Sequence, residues 1–325
     1  GLRRSLTSLE RRAATARAHH LERWDLAPQP QLDELRAELA ALAEAHHRTH
    51  LELADAKDAI ARLEGEVVDL GREAQIVRTM AWLRQQQPSD DTLISVVIPT
   101  RNRSGVLGRA IDSVRNQTHT RWELLVVDDG STDGTSELLA RIDEPRLRRF
   151  VGRGQGVAAA RNVALDHAEG DLVVYLDDDN TFDPDWLKAV ATAFAERPDA
   201  TVGFGARLVD DFGRHHGGRY SGEVWMQQIP WDRDAVQDFN RVDMNVLAHR
   251  RGAARFDPEL SFYADCDLLL ALTVDEDPFE ISAIAAHYTT TAPNRLTTDV
   301  RQEQQRAEYE LIRDKSRTPA GSGQA

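Results

Sequence analysis

The chain has 325 residues, 41% of them hydrophobic, and a formal net charge of −14. This length suits two domains, or one large α/β domain with an appendage. The acidic balance argues against nucleic acid or an anionic membrane surface as a partner. No apolar run approaches the ~18 residues that span a bilayer, and the first residues contain no apolar signal core. The single cysteine, Cys266, excludes an internal disulfide, so we expect a cytoplasmic protein.

The N-terminal region predicts a long helix that pairs with another helix. Apolar residues occupy the a and d positions of one heptad frame across residues 32–77, except at His46 and Thr49, and no proline interrupts them. A repeat of 3.5 residues sustained over this length is typical of a coiled coil. Glu52 and Lys57, at g and e positions, are placed to pair between parallel helices, which favours a homodimer. The alternative is a helix that packs back on its own chain.

A polar stretch separates this region from the rest of the chain. We therefore expect a helical region at 1–90, a second domain at 92–300, and a C-terminal helix with a disordered tail at 301–325. Within the second region, short apolar runs alternate with amphipathic stretches. The predicted strands cover residues 94–98, 123–127, 147–151 and 172–176. The predicted helices cover residues 104–116, 136–142, 155–167 and 184–197. This alternation predicts βαβ units and a largely parallel sheet.

Acidic residues directly follow two of the predicted strands. Asp177, Asp178 and Asp179 follow the fourth strand, and Asp128 and Asp129 follow the second. Ligands of open α/β sheets bind at the carboxyl ends of the strands. Carboxylates at such a place suit Mn²⁺ or Mg²⁺, and these cations favour substrates that carry phosphate. A solvated turn or a helix N-cap is the alternative explanation for each cluster.

Four segments occur here in the order and spacing of family 2 glycosyltransferases, namely residues 94–103, 126–135, 156–162 and 175–180. The chain resembles this family over about residues 92–295. The resemblance implies an α/β fold of the GT-A type, a Rossmann-like nucleotide-binding sheet flanked by helices, here preceded by a long α-helical coiled coil. It also implies inverting transfer of a sugar from a nucleotide diphosphate donor, UDP by default with dTDP and GDP open. The acceptor, a saccharide, peptide or small molecule, stays open.

The resemblance also implies roles for residues at the ends of the first two strands. Pro99, Thr100 and Arg101 would line the nucleoside pocket. Asp129, with Asp128 beside it, would bind the base. A turn and a helix cap account for the residues that follow, but they do not account for two consecutive acids at the end of an apolar strand.

Further positions that match the family would bind the diphosphate, the sugar and a metal ion. Arg161 would lie near the diphosphate or order its loop, and Asp177 would bond the ribose or sugar. Asp179 would coordinate Mn²⁺ or Mg²⁺, with Asp178 between the two. His287 matches the place where some GT-A enzymes supply a histidine to the metal, for which imidazole is an acceptable ligand. A structural histidine is the alternative.

The general base that the resemblance implies is Asp265, which would accept the proton of the acceptor hydroxyl. This chain departs from the family pattern at Ala264, where Glu is usual, and at Ala271, where Arg is frequent. The first departure puts acceptor positioning in doubt. Asp265 and Asp267 could instead be favourable first-turn charges of a helix. A catalytically impaired nucleotide-sugar-binding or assembly protein, whose main function is the coiled coil, is therefore the alternative function.

Two other nucleotide-binding classes fit less well. A nucleotidyltransferase needs a Gly-rich loop with Lys or Arg directly after its first strand, and residues 99–102 do not supply one. The glycines at 152, 154 and 156 resemble a dinucleotide fingerprint, but the third glycine comes one residue early. The sequence therefore favours a sugar donor over NAD.

Overall fold

The structure is a computed structural model that describes residues 29–86, 91–210, 215–216, 219–220, 224–228, 231–232, 243–289 and 302–317. The helices in this part of the chain are α1 (Gln29–Leu83), α2 (Leu107–Arg115), α3 (Thr135–Arg141), α4 (Val157–His167), α5 (Trp186–Glu196), α6 (Ala264–Leu272) and α7 (Gln302–Arg317). The predicted tail after residue 317 lies outside the described residues. Across the described ranges, no helix combines the length and apolar character needed to cross a membrane.

The strands are β1 (Ile94–Thr100), β2 (Trp122–Asp128), β3 (Leu147–Val151), β4 (Leu172–Tyr175), β5 (Thr181–Phe182), β6 (Val202–Asp210), β7 (His215–His216), β8 (Arg219–Tyr220), β9 (Val224–Gln227), β10 (Leu247–Arg250) and β11 (Phe279–Thr289). Strands β7 and β8 form a separate two-stranded sheet, and the other nine form one sheet. Every strand and helix predicted between residues 94 and 197 is present, with bounds that differ by at most a few residues.

The chain divides into two compact units, residues 1–70 and residues 71–325. In the first unit, the described residues form most of α1, which confirms the predicted long helix. The large apolar side chains at its a and d positions are more than half exposed: Leu39, Leu42, Leu53, Ile60, Leu63, Val67 and Leu70. Pairing of this helix in a coiled coil stays a prediction.

In the second unit, the last turns of α1 are part of the α/β domain. Ile76, Met80 and Leu83 are buried in the same hydrophobic core as the sheet. The buried ammonium group of Lys188 donates hydrogen bonds to the carbonyl oxygens of Leu83 and Gln86 at the end of α1. The Leu83 carbonyl also accepts from the amide of Gln86, which follows the helix, so the lysine adds a charged donor at the place where α1 ends.

The main sheet has the strand order β3-β2-β1-β4-β10-β6-β11-β5, and β9 also pairs with β6. The first four strands in this order are mutually parallel, whereas β10 runs antiparallel to β4 and β6. Helix α4 packs on β1 and β2, and α5 packs on β11. The central strands are buried along their whole length, which agrees with their Val, Ile and Leu content.

This topology places the carboxyl ends of β1, β2 and β4 beside one another. Thr100, the last residue of β1, pairs with Asp128, the last residue of β2. On the other side of β1, Val97 pairs with Tyr175, the last residue of β4. The acidic residues that follow β2 and β4 therefore emerge at the same edge of the sheet, as the sequence predicted.

Candidate active site

The ends of β1 and β2 are joined by main-chain hydrogen bonds. Thr100 is buried, and its carbonyl oxygen accepts a hydrogen bond of 2.9 Å from the amide of Asp129. Pro99 lies opposite Val127 in the same pair of strands, and Arg101 is exposed just beyond β1. Of the three residues predicted to line a nucleoside pocket, Pro99 and Thr100 are therefore buried at the end of β1, and Arg101 is exposed.

Asp128 orders the turn that leads into α3. One of its carboxylate oxygens accepts a hydrogen bond of 2.9 Å from the amide of Ser131, and the other accepts one of 2.5 Å from the hydroxyl of Ser136. Both donors lie within eight residues of Asp128, which explains why the turn is compact. The carboxylate of Asp128 therefore stabilises the turn beside the predicted pocket.

Asp129 binds the glycine-rich loop that precedes α4. Its carboxylate accepts hydrogen bonds from the amides of Gly154 at 2.8 Å, Gln155 at 3.2 Å and Gly156 at 2.7 Å. Successive amides that converge on an anion form a nest, and the positive φ angles of Gly154 (72°) and Gly156 (98°) permit that geometry. The glycines that resemble a dinucleotide fingerprint therefore serve an internal carboxylate in this chain.

Gly152 makes the close approach of this loop to Asp129 possible. A Cβ atom at position 152 would lie 2.4 Å from the Oδ1 atom of Asp129 and 3.0 Å from its Cα atom. Any side chain at position 152 would therefore displace either the carboxylate or the loop.

The acidic cluster after β4 faces an arginine from the loop after β1. The Nε atom of Arg103 lies 3.4 Å from Asp178, and its Nη2 atom lies 4.0 Å from Asp179. Burial raises the pKa of Asp178 to about 7, although the neighbouring Arg103 guanidinium acts to lower it. Arg103 thus supplies positive charge where three consecutive carboxylates would otherwise repel one another.

Arg161 joins two predicted site residues that come from different parts of the chain. Its guanidinium donates one hydrogen bond to Asp265 and another, of 2.9 Å, to Asp177. The arginine side chain is 4% exposed, whereas Asp177 and Asp265 are 34% and 24% exposed. The arginine also lies over the ring of Phe256, with 5.2 Å between its Cζ atom and the ring centroid. A buried cation therefore brings two partly accessible carboxylates together.

Asp265 lies in the first turn of α6, and its surroundings make its carboxylate more basic than usual. Burial raises its pKa to about 6, against the opposing effect of Arg161 and with further contributions from the charges of Asp177 and Asp243. A carboxylate with a raised pKa is a better proton acceptor near neutral pH than an ordinary aspartate. Asp265 therefore has the electrostatic character that a general base requires.

Asn245 and Asp243 extend this network, and the sequence analysis did not identify them. The side chain of Asn245 donates to the Oδ2 atom of Asp177 at 2.9 Å and accepts from the amide of Asp177 at 2.7 Å. It also donates to Asp243 at 2.5 Å, and Asp243 in turn pairs with Arg207. Asn245 is fully buried. Its contact with Asp177 depends on the pairing of β10 with β4, for which the sequence carries no local signal.

The metal ligands predicted from the sequence lie in different local environments. Asp179 belongs to the acidic cluster, whereas the Nε2 atom of His287 lies 3.5 Å from the carboxylate of Asp183. Strand pairing places His287 opposite Thr181, two residues after Asp179. In the described part of the chain, no group of three or more His, Cys, Asp and Glu side chains is arranged to bind a metal ion.

The side chains of Asp179 and His287 nevertheless suit a cation that binds together with a nucleotide. Mg²⁺ is usually bound in proteins through one or two carboxylates together with the phosphates of the substrate, and it seldom needs a cage made only of protein ligands. Asp179 supplies such a carboxylate at the carboxyl end of the parallel strands. The residues present are therefore compatible with a metal-nucleotide site.

Comparison with known proteins places this site in a family. Residues 95–255 match the model of glycosyl transferase family 2. An uncharacterized glycosyltransferase of Rickettsia conorii is 34% identical over 163 residues, which are 49% of this chain and 26% of the relative. The Escherichia coli UDP-Glc:alpha-D-GlcNAc-diphosphoundecaprenol beta-1,3-glucosyltransferase WfgD is 37% identical over 92 residues, 28% of this chain and 36% of that protein. The chain thus spans only about a quarter to a third of these relatives.

A solved structure shows the same fold. Staphylococcus aureus TarS 1–349 in complex with UDP-GlcNAc aligns with a TM-score of 0.54 over 67% of this chain and 65% of that chain, at 19% sequence identity. The predicted GT-A fold is confirmed by this likeness. The match that runs from β1 to beyond β10 identifies residues 95–255 as a glycosyl transferase family 2 domain.

Proposed function

We propose that the protein transfers a sugar from a nucleotide diphosphate donor, a UDP-sugar in the first instance, to a hydroxyl group of an acceptor. The observation that carries this proposal is the pairing of Asp177 and Asp265 through Arg161 at the ligand-binding edge of the sheet. WfgD is named for UDP-Glc and the TarS complex contains UDP-GlcNAc, which supports UDP as the nucleotide.

In this proposal, Asp265 is the general base of a single displacement. One of its carboxylate oxygens accepts the proton of the acceptor hydroxyl while that oxygen forms a bond to the anomeric carbon. The bond between the anomeric carbon and the diphosphate oxygen breaks, and its electron pair leaves with the nucleoside diphosphate. Because attack and departure occur on opposite faces of the carbon, the transfer inverts its configuration. General-base catalysis of this kind typically contributes about 10²–10⁴ in rate.

Residues around the acidic cluster bind the donor in this proposal. Asp177 bonds the ribose or the sugar, and Arg103 lies close enough to the acids to meet the negative charge of a diphosphate. Asp179, with His287 as a second protein ligand, would bind Mn²⁺ or Mg²⁺ together with the donor phosphates. When bound, such a cation neutralises charge on the leaving diphosphate.

The nucleoside end of the donor would bind at the ends of β1 and β2. The nucleoside would lie against the strand end formed by Pro99, Thr100 and Arg101, of which Arg101 is exposed, with Asp128 and Asp129 beside it. Asp129 already accepts three amide hydrogen bonds from the glycine-rich loop. Its part in base binding would therefore be combined with fixing that loop against the pocket.

Calorimetry with UDP-GlcNAc and other nucleotide sugars, with and without Mn²⁺, tests the donor site. We expect Mn²⁺-dependent binding by the natural chain and its loss in Asp179→Ala. Asp199→Ala, which removes an exposed acid elsewhere on the surface, is the matched control and should bind like the natural chain. Equal affinity of Asp179→Ala and the control in Mn²⁺ would refute the metal assignment.

The exposed seam of α1 supports a second part of the proposal, a parallel homodimer formed through this helix. Seven large apolar side chains at a and d positions are more than half exposed in the single chain. This observation also favours the alternative function, a nucleotide-sugar-binding assembly protein with impaired catalysis. Nucleotide-sugar binding without any turnover would select that alternative.

A further inference from the structure

A carboxylate from the C-terminal helix binds the turn that leads into the helix of Asp265. The side chain of Glu308, on α7, accepts hydrogen bonds from the amides of Ser261 at 3.0 Å, Phe262 at 2.8 Å and Tyr263 at 3.3 Å. Its other oxygen also accepts from Ser261, at 3.1 Å. Three consecutive amides thus converge on one side chain that lies about 45 residues away in sequence.

Glu308 binds the amides of the N-cap residue of α6 and of the two residues before it, and the N-cap side chain provides no acceptor at this end of the helix. The residue at the N-cap position of α6 is Tyr263, and it makes no side-chain cap hydrogen bond. Amides at the start of a helix have no partner within the helix, and a short polar N-cap residue usually satisfies one of them. Glu308 supplies a charged acceptor at the same end of α6, where the helix dipole also favours negative charge.

Glu308 is itself fixed in place. The residue is 7% exposed, and Ile312, one turn later in α7, is buried in the domain core. The ring of Tyr309 packs against that of Tyr263, with 6.1 Å between the ring centroids. The carboxylate therefore belongs to a packed contact between α7 and the turn, which makes it a rigid point of attachment.

The position of Asp265 depends on this turn. Asp265 is the second residue of α6, only two positions after Tyr263, and the amide of Asp267 bonds to the carbonyl oxygen of Tyr263 at 2.9 Å. From the other side, Arg161 bonds the carboxylate of Asp265. A shift of the turn would therefore move the carboxylate relative to the donor site, and small displacements of catalytic groups are costly to rate.

We propose that Glu308 is a positioning residue for Asp265, so that the C-terminal helix completes the active site from outside the family-matched segment. This inference rests on the proposed role of Asp265 as general base. It assigns a function to α7, which lies beyond the residues 95–255 that match the family.

Glu308→Gln tests the proposal because it keeps the size of the side chain and removes the charge. An amide offers only one oxygen acceptor, and its NH₂ group would face amides that are themselves donors. Glu310→Gln on the same helix is the matched control, since the Glu310 side chain is about half exposed and forms a surface ion pair with Arg306, at 3.7 Å. Both variants are made in the full chain.

Two measurements are compared across the natural chain and the two variants. Hydrogen-deuterium exchange over residues 259–272 reports whether the turn is fixed, and we expect about tenfold faster exchange at residues 261–263 in Glu308→Gln only. Release of UDP from a UDP-sugar reports function. We expect kcat to fall at least about tenfold in Glu308→Gln, with the calorimetric affinity for UDP unchanged.

Each outcome decides a specific point. Unchanged exchange in Glu308→Gln would overturn the proposal, and so would faster exchange with an unchanged kcat. A loss of UDP affinity equal to the loss of kcat would also overturn it, because that result indicates general unfolding of the site. If the natural chain released no UDP from any donor, the proposed function would fail, and the positioning role would fail with it even if exchange showed that Glu308 fixes the turn.

Discussion

Arg161 and Asp265 form an ion pair that joins α4 to α6 across 104 positions of sequence. The arginine is buried, whereas the carboxylate of Asp265 is partly accessible to solvent. The carboxylate is therefore the part of this ion pair that a ligand could reach. Because Arg161 also bonds Asp177, the acid after β4 and the acid on α6 cannot move independently. This relationship connects the proposed donor-binding cluster with the proposed general base.

The pH dependence of transfer should report the ionisation of Asp265. Burial raises its pKa to about 6, and the base works only when it is deprotonated. We therefore expect kcat/KM to be constant above this pH and to fall tenfold per pH unit as the pH drops below about 6. An acid limb near pH 4, the ordinary range of aspartate, would contradict the assignment.

Replacing Arg161 by Met should lower the free energy of unfolding of the domain as well as its transferase activity. The change leaves two carboxylates without their shared cation, and breaking a buried ion pair typically costs about 3–5 kcal/mol. Because Asp177 and Asp265 are partly exposed to water, we expect a loss of about 2–3 kcal/mol. Urea denaturation, followed by circular dichroism, measures the free energy of unfolding.

Arg306→Met provides the comparison for this measurement. Arg306 forms a surface ion pair with Glu310, and both side chains are more than half exposed. Such pairs contribute at most about 1 kcal/mol. If Arg161→Met cost no more than Arg306→Met, the central role given to the Arg161 network in the fold would be wrong.

Asn245→Ala should weaken donor binding through Asp177. The asparagine donates to the side chain of Asp177 and accepts from its amide, so the substitution removes two of the hydrogen bonds that orient this acid and leaves the one from Arg161. We expect the affinity for a UDP-sugar to fall about tenfold, which corresponds to the ~1–1.5 kcal/mol of a typical buried hydrogen bond. Calorimetry with the donor measures the change, and an unaltered affinity would show that Asp177 does not bind it.

Much of the fold could be predicted from the sequence because its signals are local. Runs rich in Val, Ile and Leu predicted the strands, and the acids that follow them predicted the edge of the sheet at which the site lies. The contacts of Asn245, Asp243 and Glu308 could not be predicted in the same way. Each depends on strand order or helix packing, which brings together residues that are far apart in sequence.

The glycine-rich loop shows a different limit of sequence patterns. The glycines at 152, 154 and 156 resemble a dinucleotide fingerprint, although their spacing disfavours NAD. In the structure, the amides of this loop bind the side chain of Asp129. Whether such a loop binds an internal or an external anion depends on what the neighbouring strand presents, and here β2 is followed by Asp129.

Ile60→Glu should dissociate the proposed homodimer. Ile60 occupies an a position and is 54% exposed in the single chain, so a glutamate there would place like charges against each other at the seam. Val68→Glu makes a similar change at a b position, outside the seam, and serves as the control. Light scattering coupled to size exclusion should show a dimer for the natural chain and for Val68→Glu, and a monomer for Ile60→Glu. A monomeric natural chain would contradict the proposal.

The most direct test of the central claim compares the natural chain with Asp265→Asn. The rate of UDP release from UDP-sugars is measured in Mn²⁺, with cell extract present as the source of the acceptor. Glu259→Gln, an exposed change six residues away, controls for nonspecific effects. We predict turnover of at least one donor by the natural chain and by Glu259→Gln, and a rate lower by about 10²–10⁴ in Asp265→Asn with UDP affinity retained. Equal rates for the natural chain and Asp265→Asn would contradict the account.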